Sequence, residues 1–146
     1  MAVADYLLDK SALARIGVEP VAGRLRPLVA AGRTATCGMV ALELLFSARN
    51  GPDHERIRDG LGAHEWLATE DEDFAAAIDV QAQLARTGHH RAVPLPDLLI
   101  AAVGARHRVT VLHYDADFER IAAVTGQAVE WVVPPGSLDE PVTGTR

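Results

Sequence analysis

Five short apolar runs alternate along this chain with stretches of helical patterning, and that alternation limits the fold more than any other feature. The runs occupy residues 4–8 (ADYLL), 33–37 (RTATC), 64–68 (HEWLA), 109–114 (VTVLHY) and 128–133 (AVEWVV). Each is the length of a strand rather than a helix. Between them the reading places helices at residues 11–16, at 25–31 after a break at 20–23, and from 39 to about 49. Another opens at Gly51-Pro52 and carries Ile57 and Leu61. Phe74, Ile78, Gln81 and Leu84 mark a long amphipathic helix ending at Gly88, and Pro94 and Pro96 precede a very apolar one at 97–107. The last spans 118–124 and stops at Gly126. Strands alternating with helices imply βαβ units, so the fold class expected is α/β with a mainly parallel sheet covered on both faces.

With 146 residues the chain suits a single domain that buries roughly two-thirds of its unfolded surface without staples. The domain is expected to occupy residues 1–134. The tail, residues 135–146, is rich in Pro and Gly and is expected to be flexible. Cys37 is the one cysteine, which excludes an intrachain disulfide and a cysteine-based zinc site and suits a buried thiol in a reducing compartment. No apolar stretch approaches the roughly 20 residues that span a bilayer, and MAVADYLLDK lacks the basic start of a signal peptide. The expected location is cytoplasmic, without a membrane partner. The net charge of −6 argues against general nucleic-acid binding. Thirteen of the 14 basic residues are nevertheless Arg, with Lys10 the only lysine, and Arg forks match phosphate geometry.

In open parallel sheets the ligand crevice lies beyond the carboxyl ends of the strands. Asp9 ends the first run and Asp115 the fourth; Glu43 lies in the helix leaving the second, and Asp97 starts the helix leading to the fourth. Four acids distant in sequence therefore meet at one edge, with Asp117 beside them. Each has a plainer reading as well. Asp9 suits an N-cap, Asp97 complements a helix dipole, and Asp115 or Asp117 caps the helix that follows. Glu43 resists such a reading, because Met39, Val40 and Phe46 are its helical neighbours and an isolated buried carboxylate is expensive. Crowded carboxylates without Cys or paired His point to Mg²⁺ or Mn²⁺, and to phosphodiester hydrolysis by metal-activated water.

Taken in order, YLLDKSAL, TATCGMVALELLFSAR, PLPDLLIAAVGARH and VLHYDADFERIAAVTGQ resemble the PIN-domain family, in particular the VapC-type toxins of bacterial toxin–antitoxin pairs. The resemblance implies a three-layer α/β/α sandwich and Mg²⁺- or Mn²⁺-dependent endoribonuclease activity leaving a 5′-phosphate and a 3′-hydroxyl. It also implies a homodimer, an RNA substrate and a cognate VapB-type antitoxin. It assigns catalysis to Asp9, Glu43, Asp97 and Asp115, and the metal to Asp9, Asp97, Asp115 and Asp117. Ser11 matches a family hydroxyl that supports the first acid.

Arg91, in the polar stretch before Pro94, is either an RNA contact or part of an exposed turn. His113 invites a general-acid role, against the plainer one of a locally bonded strand residue. Trp66 and Trp131 offer base-stacking surfaces, or else belong to the core or an interface. Two other function classes compete. A phosphotransferase of the haloacid-dehalogenase or response-receiver type needs a later lysine, and this chain has none after Lys10. A non-catalytic interaction module would use the acids only as caps, which Glu43 opposes.

Overall fold

A computed structural model describes residues 2–138. The described strands are β1 (Tyr6–Leu8), β2 (Thr34–Cys37), β3 (Glu65–Leu67), β4 (Thr110–His113) and β5 (Val129–Trp131). The helices are α1 (Lys10–Leu13), α2 (Val21–Ala30), α3 (Gly38–Phe46), α4 (Gly51–Leu61), α5 (Asp71–Ala85), α6 (Leu95–Arg106) and α7 (Ala116–Thr125). All strand pairs are parallel, in the order β3-β2-β1-β4-β5. The chain winds outward from β1 through β2 to β3, then returns past β1 to β4 and β5. Right-handed crossovers put α1–α4 on one face and α5–α7 on the other, giving the expected three-layer α/β/α sandwich.

In the sheet centre Leu7 pairs with Ala35 on one side and Val111 on the other, all three fully buried. The winding direction reverses between β1 and β4, so the crevice beyond the carboxyl ends of those two strands is the natural ligand site. Helix α6 lies close over the same strands because residue 104 is glycine. A Cβ there would stand 2.8 Å from Val111 Cγ2 and 3.6 Å from Leu7 Cδ2. Asp97 lies two turns earlier on the same side of α6, so the close approach also brings Asp97 over the strand ends.

Among the helix starts that differ from the sequence reading, two have a clear local reason. Helix α2 begins at Val21 and runs through Gly23 and Pro27. Gly23 is no breaker here; a Cβ at that position would stand 2.9 Å from Glu19 Oε1, so the glycine makes room for that carboxylate. Helix α6 begins at Leu95, with Pro96 in its first turn, where a missing N–H removes no helical hydrogen bond. Beyond Pro134, the amides of Gly136 and Leu138 donate to Tyr114 Oη at 3.0 and 3.4 Å. The rest of the segment expected to be flexible lies outside the described residues. Cys37 is a buried free thiol at the end of β2.

Candidate active site

Asp9 leaves the end of β1 with its amide donating to the Leu112 carbonyl at 2.9 Å, which extends the ladder to β4. Its Oδ2 accepts from the Ser11 amide at 2.9 Å and from Ser11 Oγ at 2.6 Å, capping α1. Ser11 Oγ in turn accepts from the Tyr114 amide at 2.8 Å. One hydroxyl thus fixes the first acid and ties together the ends of β1 and β4. Asp9 Oδ1 is buried without a hydrogen-bond partner among the described residues. The cap and the site share the carboxylate, one oxygen each.

The other side of the crevice repeats the device. Asp115 is the N-cap of α7, accepting from the Asp117 amide at 2.9 Å. Asp117 is fully buried, with one oxygen held by Arg120 and the other, Oδ2, without a partner. Asp97 is 5% exposed in the first turn of α6, and its Oδ2 likewise has no partner. Ligand oxygens of Asp9, Glu43 and Asp97 lie within 4.8 Å of one another, as do those of Asp97, Asp115 and Asp117. Asp97 belongs to both groups.

Burial, followed by Asp9, Asp115, Glu43 and Asp117, pushes the Asp97 carboxyl up to about 9. Burial and Asp115 raise Asp117 to about 6, against the opposing pull of Arg120. Asp9 is also raised, chiefly by burial, with the two bonds from Ser11 working the other way. Of these three, only Asp117 has a cationic partner among the described residues, Arg120, and that partner meets one oxygen alone. Three buried oxygens without partners, an all-oxygen donor set and mutual repulsion suit a hard divalent cation. The cluster is able to hold one.

Several expectations change. Glu43 is half-buried, and its neighbours Leu42 and Phe46 face outward at 65% and 91% exposure. The apolar surroundings of Glu43 are therefore open on one side, and the deeply buried acids of the cluster are the four aspartates. His113 is buried, with Nδ1 accepting from the Asp115 amide at 3.1 Å and Nε2 bonded to Glu119 Oε2 at 2.8 Å. Both ring nitrogens are used locally, which leaves no proton for a general acid. Arg91 is exposed in the turn before α6. Trp131 packs 4.8 Å from the His113 ring and 5.6 Å from Tyr114, whereas Trp66 is exposed on β3. Sequence reasoning missed Glu119 and Arg120. Arg120 stands three residues after Asp117 on one helix, a spacing that brings side chains together.

The sequence profile of the PIN domain matches residues 6–124, a span that includes all five acids. The chain belongs to the PIN-domain family. Ribonuclease VapC21 of Mycobacterium tuberculosis is 48% identical over 136 residues, covering 90% of this chain and 96% of the relative. Among solved structures, VapBC-5 of the same organism, described as a member of the VapBC family of toxin–antitoxin systems, is 27% identical with a TM-score of 0.58, covering 87% of this chain and 97% of that one. VapBC2 of Rickettsia felis, solved with a DNA fragment from its promoter, shares the fold at a TM-score of 0.72 and 17% identity, over 86% of this chain and 97% of that one. Membership of the PIN domain family sets aside the phosphotransferase reading. No helix among the described residues is long and apolar enough to cross a membrane.

Proposed function

We propose that this PIN-domain chain is a metal-dependent endoribonuclease toxin, cytoplasmic, homodimeric and neutralised by a cognate VapB-type antitoxin. Relatives named as ribonucleases support the RNA substrate, and the VapBC-5 likeness supports the antitoxin. The observation that carries the reading is Asp97, buried and shared by two acid groups with one oxygen left unbonded. The activity resides in a single domain, residues 1–134, with 135–146 as a tail.

Asp9, Asp97, Asp115 and Asp117 are the residues that would hold Mg²⁺ or Mn²⁺. When bound, such a cation polarises a phosphoryl oxygen and lowers the pKa of an attacking water. The chain's own residues do the rest. Ser11 holds Asp9 in one orientation, and the Asp117 amide does the same for Asp115. Glu43, the least buried of the acids, takes the proton of the attacking water. Water adds to phosphorus as the bond to the 3′-oxygen breaks, which leaves a 5′-phosphate and a 3′-hydroxyl. Arg91 contacts an RNA phosphate at the rim.

The test is cleavage of total RNA with end mapping, in Mg²⁺, in Mn²⁺ and in EDTA, beside Asp97→Asn. Specific cuts bearing 5′-phosphates are expected from the wild type with metal alone. Equal cleavage by Asp97→Asn, or activity that survives EDTA, would sink the proposal.

A further inference from the structure

A recess of about 290 Å³ opens beside the carboxylates, lined by Lys10, Met39, Leu42, Glu43 and Phe46. Its volume is at the lower end of the roughly 300–1,000 Å³ common for small-ligand sites. Glu43 joins it to the acid group that includes Asp9 and Asp97. The recess therefore adjoins the place where a phosphodiester would be cut, and its walls combine one cation with an apolar surface.

The cation matters because a phosphodiester approaching five carboxylates is repelled, and one divalent ion offsets only part of their charge. Positive groups near the cluster are mostly engaged. Arg120 holds Asp117, and Arg15 donates to the Ser11 carbonyl and lies 5.3 Å over the Tyr114 ring. Lys10, the only lysine in the chain, forms no ion pair among the described residues and directly follows Asp9. An ammonium on a flexible stem suits a phosphate whose approach angle is not fixed. Across the recess the Phe46 ring is almost wholly in solvent, with Leu42 one turn before it on α3. An exposed aromatic ring and a cation lining one recess are the combination by which single-stranded nucleic acid is held, base on ring and phosphate on charge.

We propose that this recess is the subsite for the nucleotide adjoining the cleaved bond, with Lys10 on its phosphate and the Leu42–Phe46 wall against its base. The proposal rests on the ribonuclease reading and adds to it two residues outside the acid cluster.

The test uses the full chain and a short, mixed-sequence, fluorescently labelled single-stranded RNA. Binding is followed by anisotropy over a range of salt, in an Asp97→Asn background so that the RNA stays intact. Removing one phosphate contact should lower the salt dependence, the slope of log K against log salt, by about 0.7. Lys10→Ala is expected to show that change with about tenfold weaker binding, and Lys10→Arg to retain the slope. Lys10→Gln replaces the alanine variant if the latter does not fold. Phe46→Ala is expected to weaken binding about fivefold or more with the slope unchanged. In the active protein, Lys10→Ala should raise KM while kcat stays within about threefold. Slope and affinity unaltered in Lys10→Ala would overturn the subsite. So would a Phe46→Ala protein of unchanged RNA affinity that sediments as a monomer where the parent is a dimer, because the wall would then be a contact between copies. Wild type that neither binds nor cuts RNA refutes the ribonuclease reading itself; wild type that cuts, beside Lys10 and Phe46 variants that behave identically, refutes the subsite alone.

Discussion

Asp73 and Asp97 each stand third in a helix, Asp73 in α5 and Asp97 in α6, and are 1% and 5% exposed. Their surroundings are opposite. Asp73 accepts from Arg106 Nε at 2.7 Å, from Arg106 Nη2 at 3.0 Å and from the Glu70 amide at 2.9 Å. Burial alone would raise it, but the guanidinium and the amide outweigh burial and hold it below the usual carboxylate range. For Asp97 burial goes unopposed, four other carboxylates add to it, and the carboxyl is driven up to about 9. The partner of Asp73 is also on α6, at its last residue, so one helix ends on a satisfied pair and begins on an unsatisfied acid. A buried acid with every oxygen paired holds structure together. One left with a bare oxygen among like charges marks a site suited to a cation.

The sharpest way to break this contrast is Asp97→Asn. Losing a partner that only orients a metal ligand costs about 10–100-fold, so removal of the shared acid should cut RNA cleavage by more than about 100-fold. The same change should stabilise the metal-free fold by about 1–3 kcal/mol, because it removes a buried like-charge conflict. A variant that is both inactive and less stable in EDTA would place Asp97 beside Asp73 as a structural residue.

Asp73→Ala should do the reverse. Breaking a buried ion pair costs about 3–5 kcal/mol; Arg106 is 29% exposed, which favours the lower end, about 3 kcal/mol. Urea unfolding would read that loss, while cleavage per folded molecule should stay within about twofold. A specific defect in cleavage at retained stability would erase the distinction.

A third test is the pH dependence of the metal-free protein. Asp97, at about 9, and Asp117, at about 6, keep in the folded state protons that the unfolded chain has released above about pH 4. The folded state thus binds more protons, and stability must fall as pH rises through those two values. Asp73 behaves oppositely, with its contribution lost on acidification below its ordinary range. In EDTA the melting temperature is expected to decline between about pH 5 and about pH 9, and to decline much less in Asp97→Asn. A wild-type melting temperature that is level or rising over that range would contradict the charge assignment.

The mildest test is Ser11→Ala. It removes the hydroxyl that fixes Asp9 and accepts from Tyr114. About tenfold slower cleavage is expected, with about 1 kcal/mol of lost stability. Cleavage kinetics and a denaturant melt on the same preparation separate the two effects.

Much of this was legible in the sequence for physical reasons. Apolar runs such as YLL and TVLH have one stable use, as strands covered on both faces, so the order of elements and the edge that carries Asp9, Asp97 and Asp115 followed from pattern alone. What the pattern could not show was direction. Glu43 lies in an apolar run, but only the packing of α3 reveals that Leu42 and Phe46 point to solvent. The reading started helix α2 too late because Pro20 to Gly23 read as a break, whereas the helix begins at Val21 and the glycine accommodates the Glu19 carboxylate. His113 looked available until Glu119, six residues on, closed its second nitrogen. Long-range pairs such as Asp73–Arg106 have no local signature at all.

Calorimetric titration of Mn²⁺ into the metal-free protein near neutral pH, repeated in two buffers of different ionisation enthalpy, tests most directly whether the cluster waits for a cation. Asp97 holds its proton there, so binding should release about one proton and should be lost in Asp97→Asn. Absence of binding, or binding of undiminished affinity in Asp97→Asn with no proton released, would contradict the account.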